Sequence, residues 1–318
     1  MKLGLFSIAY EDVPLESILR HISSLGYESI ELPAWKGNPH LDLDRILSGG
    51  AQEVKNLVSK YGITISGLNN YIEGQLVLGP YDGSTDFIFK GSEIEKQNYG
   101  ISRIKKTAEA AKLLDVPVVN GFVGCPNWSA WYPEPPPYEE IYAGFFNIFA
   151  EKWNGILDYF GSNGVKFAFE VHPAQVAYNI ETAELVLDSI KWRTEFGFNF
   201  DPSHLVWQLL DPVLFIKKFG KKIYHSHVKD GELVVENLPT SGAMSHGSLL
   251  RSTRGFRFRV PGWGQVPWRR VMTAFAEVGY DYVLSYEHED PIIGRDDGLE
   301  MTMSFIKPLL IRKKPRSN

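Results

Sequence analysis

The stretch FAFEVHPAQ, Phe167 to Gln175, runs through apolar residues without alternation and ends in a carboxylate, Glu170. A short uninterrupted apolar run of this kind, VKFAFEV over 165–171, is the pattern of a strand buried on both faces, as in a parallel sheet covered by helices. The carboxylate at its tip is the anomaly. Unpaired in an apolar setting it would cost several kcal/mol or take up a proton, so it calls for a cation, a hydrogen-bond donor or a metal.

Working outward, the same alternation of short apolar run and helical period repeats along the chain. KLGLFSIAY (2–10) precedes a helical pattern in which Leu15, Ile18, Leu19, Ile22 and Leu25 share one face. SIELPA (29–34) precedes a helix over 43–61, and ITISGLN (63–69) a helix over 93–114 after a polar, Gly-rich excursion. VPVVNGFV (116–123) leads through a Trp- and Pro-rich loop into a helix over 138–162. FGFNFD (196–201), KIYHSHVKD (222–230) and DYVLSYE (281–287) complete the strands, and the last helix runs through Leu310. Eight strand–helix units predict an α/β fold, a (β/α)8 TIM barrel in one domain over 1–311, with 312–318 as a flexible basic tail. A doubly wound sheet would place a Gly-rich phosphate turn after the first strand, and SIAYEDVP has no such character.

Composition narrows the partners. The 318 residues are 44% apolar with a formal net charge of -5 and no extended basic stripe, which argues against nucleic acid as the main partner. No window approaches the roughly 18 apolar residues that span a bilayer. A single cysteine, Cys125, rules out an intrachain disulfide, and MKLGLFSIAYEDVP lacks the features of a secretory leader, so the expected location is cytoplasmic. A homo-oligomer is compatible with all of this.

In a barrel the C-terminal strand ends form the functional face. The last four strands end in Glu170, Asp201, His227 and Glu287. Three carboxylates converging in a low-dielectric site repel one another, so a divalent metal is the economical counter-charge, and mixed carboxylate and imidazole ligation suits Mn2+, Mg2+, Co2+, Fe2+ or Zn2+, one per chain. His225 shares a strand face with His227 and reads as a packed neighbour, since His227 lies nearer the strand end. Strand-end acids also serve as helix N-caps or loop salt bridges, and Lys229 has a bridge to Asp230 as its plainer role.

The set EVHP, DPSH, HVKD and YEHED resembles the xylose isomerase-like superfamily of sugar isomerases and epimerases, including ketose 3-epimerases and inosose dehydratase. The resemblance implies metal ligation by Glu170, Asp201, His227 and Glu287, proton transfer by Glu170 and Glu287, and substrate contact by His204. The substrate arginine of the epimerases falls here on Leu233, so their sugar-binding geometry does not carry over. The Asp-x-His pair of the family's apurinic endonucleases has no counterpart between Asp230 and Gly264. The long segment after the seventh strand, ending in RGFRFRVPGWG, resembles a subgroup acting on 3-keto-glycosides and reads as a lid. Trp128 and His172 are further candidates for substrate contact, and Lys229 for stabilising an oxyanion. The implied substrate is a small sugar or sugar derivative, with elimination on a 3-keto-glycoside or an inosose as the alternative reaction and a non-catalytic sugar- or metal-binding barrel as the second.

Overall fold

A computed structural model describes residues 1–132 and 138–311. The Pro135–Pro137 loop and the 312–318 tail expected from the sequence lie outside the described residues. Eight parallel strands close into a barrel: β1 (Lys2–Phe6), β2 (Ser29–Pro33), β3 (Thr64–Asn70), β4 (Val118–Gly121), β5 (Lys166–Glu170), β6 (Phe196–Phe200), β7 (Ile223–Val228) and, after a two-stranded insertion β8 (Asp230–Leu233) and β9 (Phe256–Arg259), β10 (Val283–Tyr286). Six of the barrel strands, β2, β4, β6, β10 and all but the first residue of β1 and β5, are buried throughout, as continuous apolar runs covered by helices require.

The backbone separates into two compact units, one of Met1–Glu31, Val58–Thr64 and the chain from Phe200 on, the other of Leu32–Leu57 and Ile65–Asn199. The second unit has an aromatic core in which Phe167 packs against Trp153 at 4.5 Å and against Phe160 and Phe196, with Phe149 against Trp153. The first packs Phe200 against Phe215 and Phe275, with Tyr280 on Phe275. Register within each unit sets which strand-end residues become neighbours: Glu170 pairs with Asn199 across β5 and β6, and His227 with Ser285 across β7 and β10.

Two expectations need correction. The first strand ends at Phe6, because Ser7–Tyr10 turns into a short 3-10 helix. The helix expected over 43–61 is interrupted: Gly49 takes φ 113°, a left-handed conformation that a side chain would resist, and a regular helix resumes only over Ala51–Lys60.

The segment after β7 is an antiparallel hairpin. Asp230 pairs with Arg259 and Leu233 with Phe256. Phe256 and Phe258 bury one face against Trp207, with Leu233 and Ala243 beside them. Alternating with these aromatics, Arg257 and Arg259 bind Glu232, and Arg259 Nε donates to Asp290 at 2.9 Å. Asp230 anchors the base of the hairpin. Its carboxylate accepts from the backbone N–H groups of Gly231, Gly262 and Val266 and from Trp268 Nε1, all at 2.8–2.9 Å. Burial raises its pKa above the ordinary carboxylate value, and these donors act in the opposite direction.

Asp230→Ala strands three backbone donors and an indole inside the hairpin base. It is expected to cost about 3 kcal/mol in urea unfolding and to open residues 234–262 to limited proteolysis. An unchanged cleavage pattern would remove Asp230 as the anchor.

Candidate metal and active site

Each strand-end residue is set by its own local chemistry. Glu170 is 2% exposed, and its Oε2 accepts from the Tyr71 hydroxyl at 2.6 Å and from Asn199 Nδ2 at 2.8 Å. Asn199 also donates to the Tyr71 oxygen at 3.2 Å, so the three groups form one closed network. Asp201, after β6, accepts from the backbone N–H and hydroxyl of Ser203 through Oδ1 at 2.8 and 2.7 Å. One oxygen thus orders the turn into Ser203–Val206, and Oδ2 points to Lys229 Nζ at 3.1 Å.

His227 is fully buried and has a different partner on each nitrogen. Nε2 lies 3.0 Å from Glu31 Oε2, and Nδ1 lies 3.1 Å from Glu287 Oε2 and 3.9 Å from Asp201 Oδ2. A carboxylate faces each nitrogen, and a proton on Nε2 toward Glu31 is the form that would leave the Nδ1 lone pair for a cation shared with the acids. Glu31 is the residue that the sequence reading missed. It sits in SIELP, an apolar run with a fully buried carboxylate, and the reasoning that singled out Glu170 applies to it equally. His225 is packed as expected, its Nε2 3.8 Å from the same Glu31 oxygen.

Lys229 departs from its plainer role. Asp230 is engaged in the hairpin base, and the Lys229 ammonium, 2% exposed, lies 2.6 Å from Glu287, 2.8 Å from Glu289 and 3.1 Å from Asp201. The ring of Phe258 lies 4.6 Å from it. His204 is buried in the same group, with Nε2 3.4 Å from Lys229 Nζ and 3.6 Å from Asp201 Oδ2, and its ring edge-on to Phe258. Glu289 was absent from the sequence reading, although it lies two residues beyond Glu287 in the same motif.

The other expected contacts lie in loops. His172 packs against Phe122 at 4.9 Å and its Nδ1 meets the Pro173 carbonyl. Trp128 meets Tyr178 edge-on at 4.8 Å. Cys125 has no thiolate role at neutral pH, because burial pushes its thiol up to about 12.

Within the first unit, Asp201, His227 and Glu287 each offer a candidate ligand atom. Ligands about 2.1 Å from one ion stand about 3.0–3.4 Å apart when adjacent and about 4.2 Å apart when opposite. The 3.1 and 3.9 Å separations at His227 Nδ1 fall between those limits, and carboxylates with an imidazole are the donor set of a divalent cation. The residues therefore fit a metal.

A family model described as "Xylose isomerase-like TIM barrel" matches residues 19–309. The chain is 25% identical to uncharacterized protein YfiH of Bacillus subtilis (strain 168), over 96% of this chain and 98% of that protein. It is 23% identical to fructoselysine 3-epimerase of Escherichia coli O157:H7, over 88% of each. Among solved structures it is similar to IOLI protein with a binding zinc atom, with a TM-score of 0.69 and 18% identity over 98% of each chain.

In protein stripped of divalent ions, nitrogen-15 imidazole spectra are expected to show a His227 Nε2 proton held in a hydrogen bond to Glu31. Glu31→Ala should abolish that hydrogen bond, and an unchanged pattern would mean that Glu31 does not orient the ring.

Proposed function

We propose that this chain, which belongs to the xylose isomerase-like TIM barrel family, is a divalent-metal-dependent isomerase or epimerase that moves a proton next to the carbonyl of a sugar or sugar derivative. The observation that supports this reading is the group Asp201, His227 and Glu287, buried donors of the right kind with His227 Nδ1 3.9 and 3.1 Å from the two carboxylates, which Glu170, likewise buried, would complete as the fourth ligand. Those four residues would hold the ion, which when bound polarises a chelated carbonyl and acidifies the neighbouring C–H.

The chain's own residues supply the rest. Glu170 and Glu287 come from different strands, and in this reading one removes the proton and the other returns it. Tyr71 and Asn199 fix the orientation of Glu170, while Lys229 and His227 fix that of Glu287. The Lys229 ammonium would meet charge developing on a substrate oxygen, with His204, His172 and Trp128 contacting the sugar. Return of the proton to the opposite face gives epimerisation, and return to the adjacent carbon gives isomerisation.

Lys229 also supports a second reading, elimination. Its buried ammonium between Glu287 and Glu289 is placed to protonate a leaving oxygen, as loss of a β-substituent from a 3-keto-glycoside or an inosose requires. A barrel that binds sugar or metal without turnover is the third.

Elemental analysis is expected to find about one divalent ion per chain, and incubation in deuterium oxide with ketohexoses, an inosose and 3-keto-glucosides to place deuterium beside the carbonyl, the product naming the reaction. Metal without exchange on any substrate would leave a binding barrel, and no metal after Mn2+ is supplied would overturn the ligand set. Glu287→Gln should lower exchange at least about 100-fold while circular dichroism shows the chain still folded. Retained exchange would exclude Glu287 from proton transfer.

A further inference from the structure

Five cationic side chains are buried among the described residues: Lys96, Arg103, Lys229, Arg254 and Arg259. Four of them have a carboxylate in contact: Lys96 with Asp86 at 2.6 Å, Arg103 with Glu73 at 2.8 Å, Lys229 with Glu287 at 2.6 Å and Arg259 with Asp290 at 2.9 Å. Arg254, 7% exposed, is the exception.

Arg254 lies in the segment between β8 and β9, SHGSLLRSTRG over 245–255. Among the described residues it donates only through Nη1, to the Gly247 carbonyl at 2.7 Å, and its buried Nε meets no acceptor. Beside it Arg251 is held similarly, with a second, longer donation from Nη2 to Ser241 Oγ at 3.5 Å. Nη1 donates to the preceding carbonyl, His246, at 3.0 Å, and its buried Nε also lacks an acceptor. Two guanidinium groups held on successive carbonyls repel one another, and burial together with Arg251 depresses the pKa of Arg254.

The stack beneath offsets only part of this. Arg254 lies 4.7 Å over the ring of Phe256, which is parallel to Trp207 at 4.4 Å. Such a stack fixes the guanidinium plane and leaves its edge to be matched by an acceptor. The surrounding residues from His246 to Leu250, with Ser252 and Thr253, are exposed, so an ion has access from solvent.

We propose that Arg251 and Arg254 form an anion-binding site in the hairpin, selective for a phosphate-type oxyanion, which supplies the counter-charge that the fold omits. This goes beyond the proton-transfer reading and stands independently of it. The site bears on the strand ends through one aromatic layer. Phe256 lies 5.6 Å from Phe258, and Phe258 covers Lys229 and His204. A bound oxyanion would therefore fasten the hairpin where it meets those two residues, whether the phosphate is free or belongs to the substrate.

Isothermal titration of the full chain with inorganic phosphate tests the site, with fructose 6-phosphate and fructose as separate arms. Phosphate binding that weakens about tenfold or more in Arg251→Gln/Arg254→Gln, and persists in Arg257→Gln, is the expected result. Fructose 6-phosphate binding more tightly than both phosphate and fructose would assign the anion to the substrate, and equal binding of the two phosphates would assign it to a free ion. Absence of binding by either phosphate to the wild-type chain would overturn the proposal, as would undiminished binding in the double variant. Arg251→Gln alone, at the less buried position, provides the same comparison if the double variant fails to fold.

Discussion

The buried ammonium of Lys229, within 3.1 Å of Asp201, Glu287 and Glu289, is the interaction on which this end of the fold depends. Lys229, Asp201 and Glu287, buried this deeply, each cost several kcal/mol of lost hydration, while Glu289 is exposed, and an attraction of about 4 kcal/mol per pair at 4 Å, for an effective dielectric near 20, is needed to offset that cost. One cation against three acids leaves an excess of negative charge. In the proposed reading that excess is what would give a divalent ion its affinity, with Glu31 behind His227.

The six residues from His225 to Asp230 connect these functions. His225 and His227 reach Glu31, His227 also faces Glu287, Lys229 gathers the acids, and Asp230 fastens the hairpin. Alternation along an extended chain explains the division of labour: residues 225, 227 and 229 share a parity, and residue 230 falls on the other and turns to the hairpin base. Adjacent residues in such a segment cannot bridge one another easily. That is why a salt bridge between Lys229 and Asp230, natural to expect from their adjacency, does not form.

The barrel was legible because its strands are short runs, most of them mainly apolar with a polar residue at or just past the end, a pattern with few structural solutions. The same pattern exposed Glu170, Asp201, His227 and Glu287. Glu31 escaped because it sits inside its apolar run, and attention to strand tips passes over it. Tyr71 and Asn199 escaped for another reason. Neither is unusual in its own segment, and only the pairing of β5 with β6 and the turn after β3 bring them to Glu170. The hairpin was readable in part: FRFR alternates aromatic and cationic residues with the period of a strand having one buried face, but its partner DGEL is too short and too polar to announce itself.

The hairpin also separates charge of opposite sign. Its arginines at 257 and 259 are neutralised by Glu232 and Asp290, its arginines at 251 and 254 are not, and the acids at the ends of β5, β6 and β10 carry the opposite excess. Placed in direct contact the two excesses would cancel, and neither would hold a ligand. Between Arg254 and Lys229 stand the rings of Phe256, stacked on Trp207, and Phe258, a layer that carries no charge of its own. Held apart in this way, the acidic strand ends would keep the cation affinity, and the arginine loop the anion affinity, that are proposed for them. A ligand on the loop would then act on the strand ends through the position of Phe258 over Lys229 and His204, by packing and without transfer of charge.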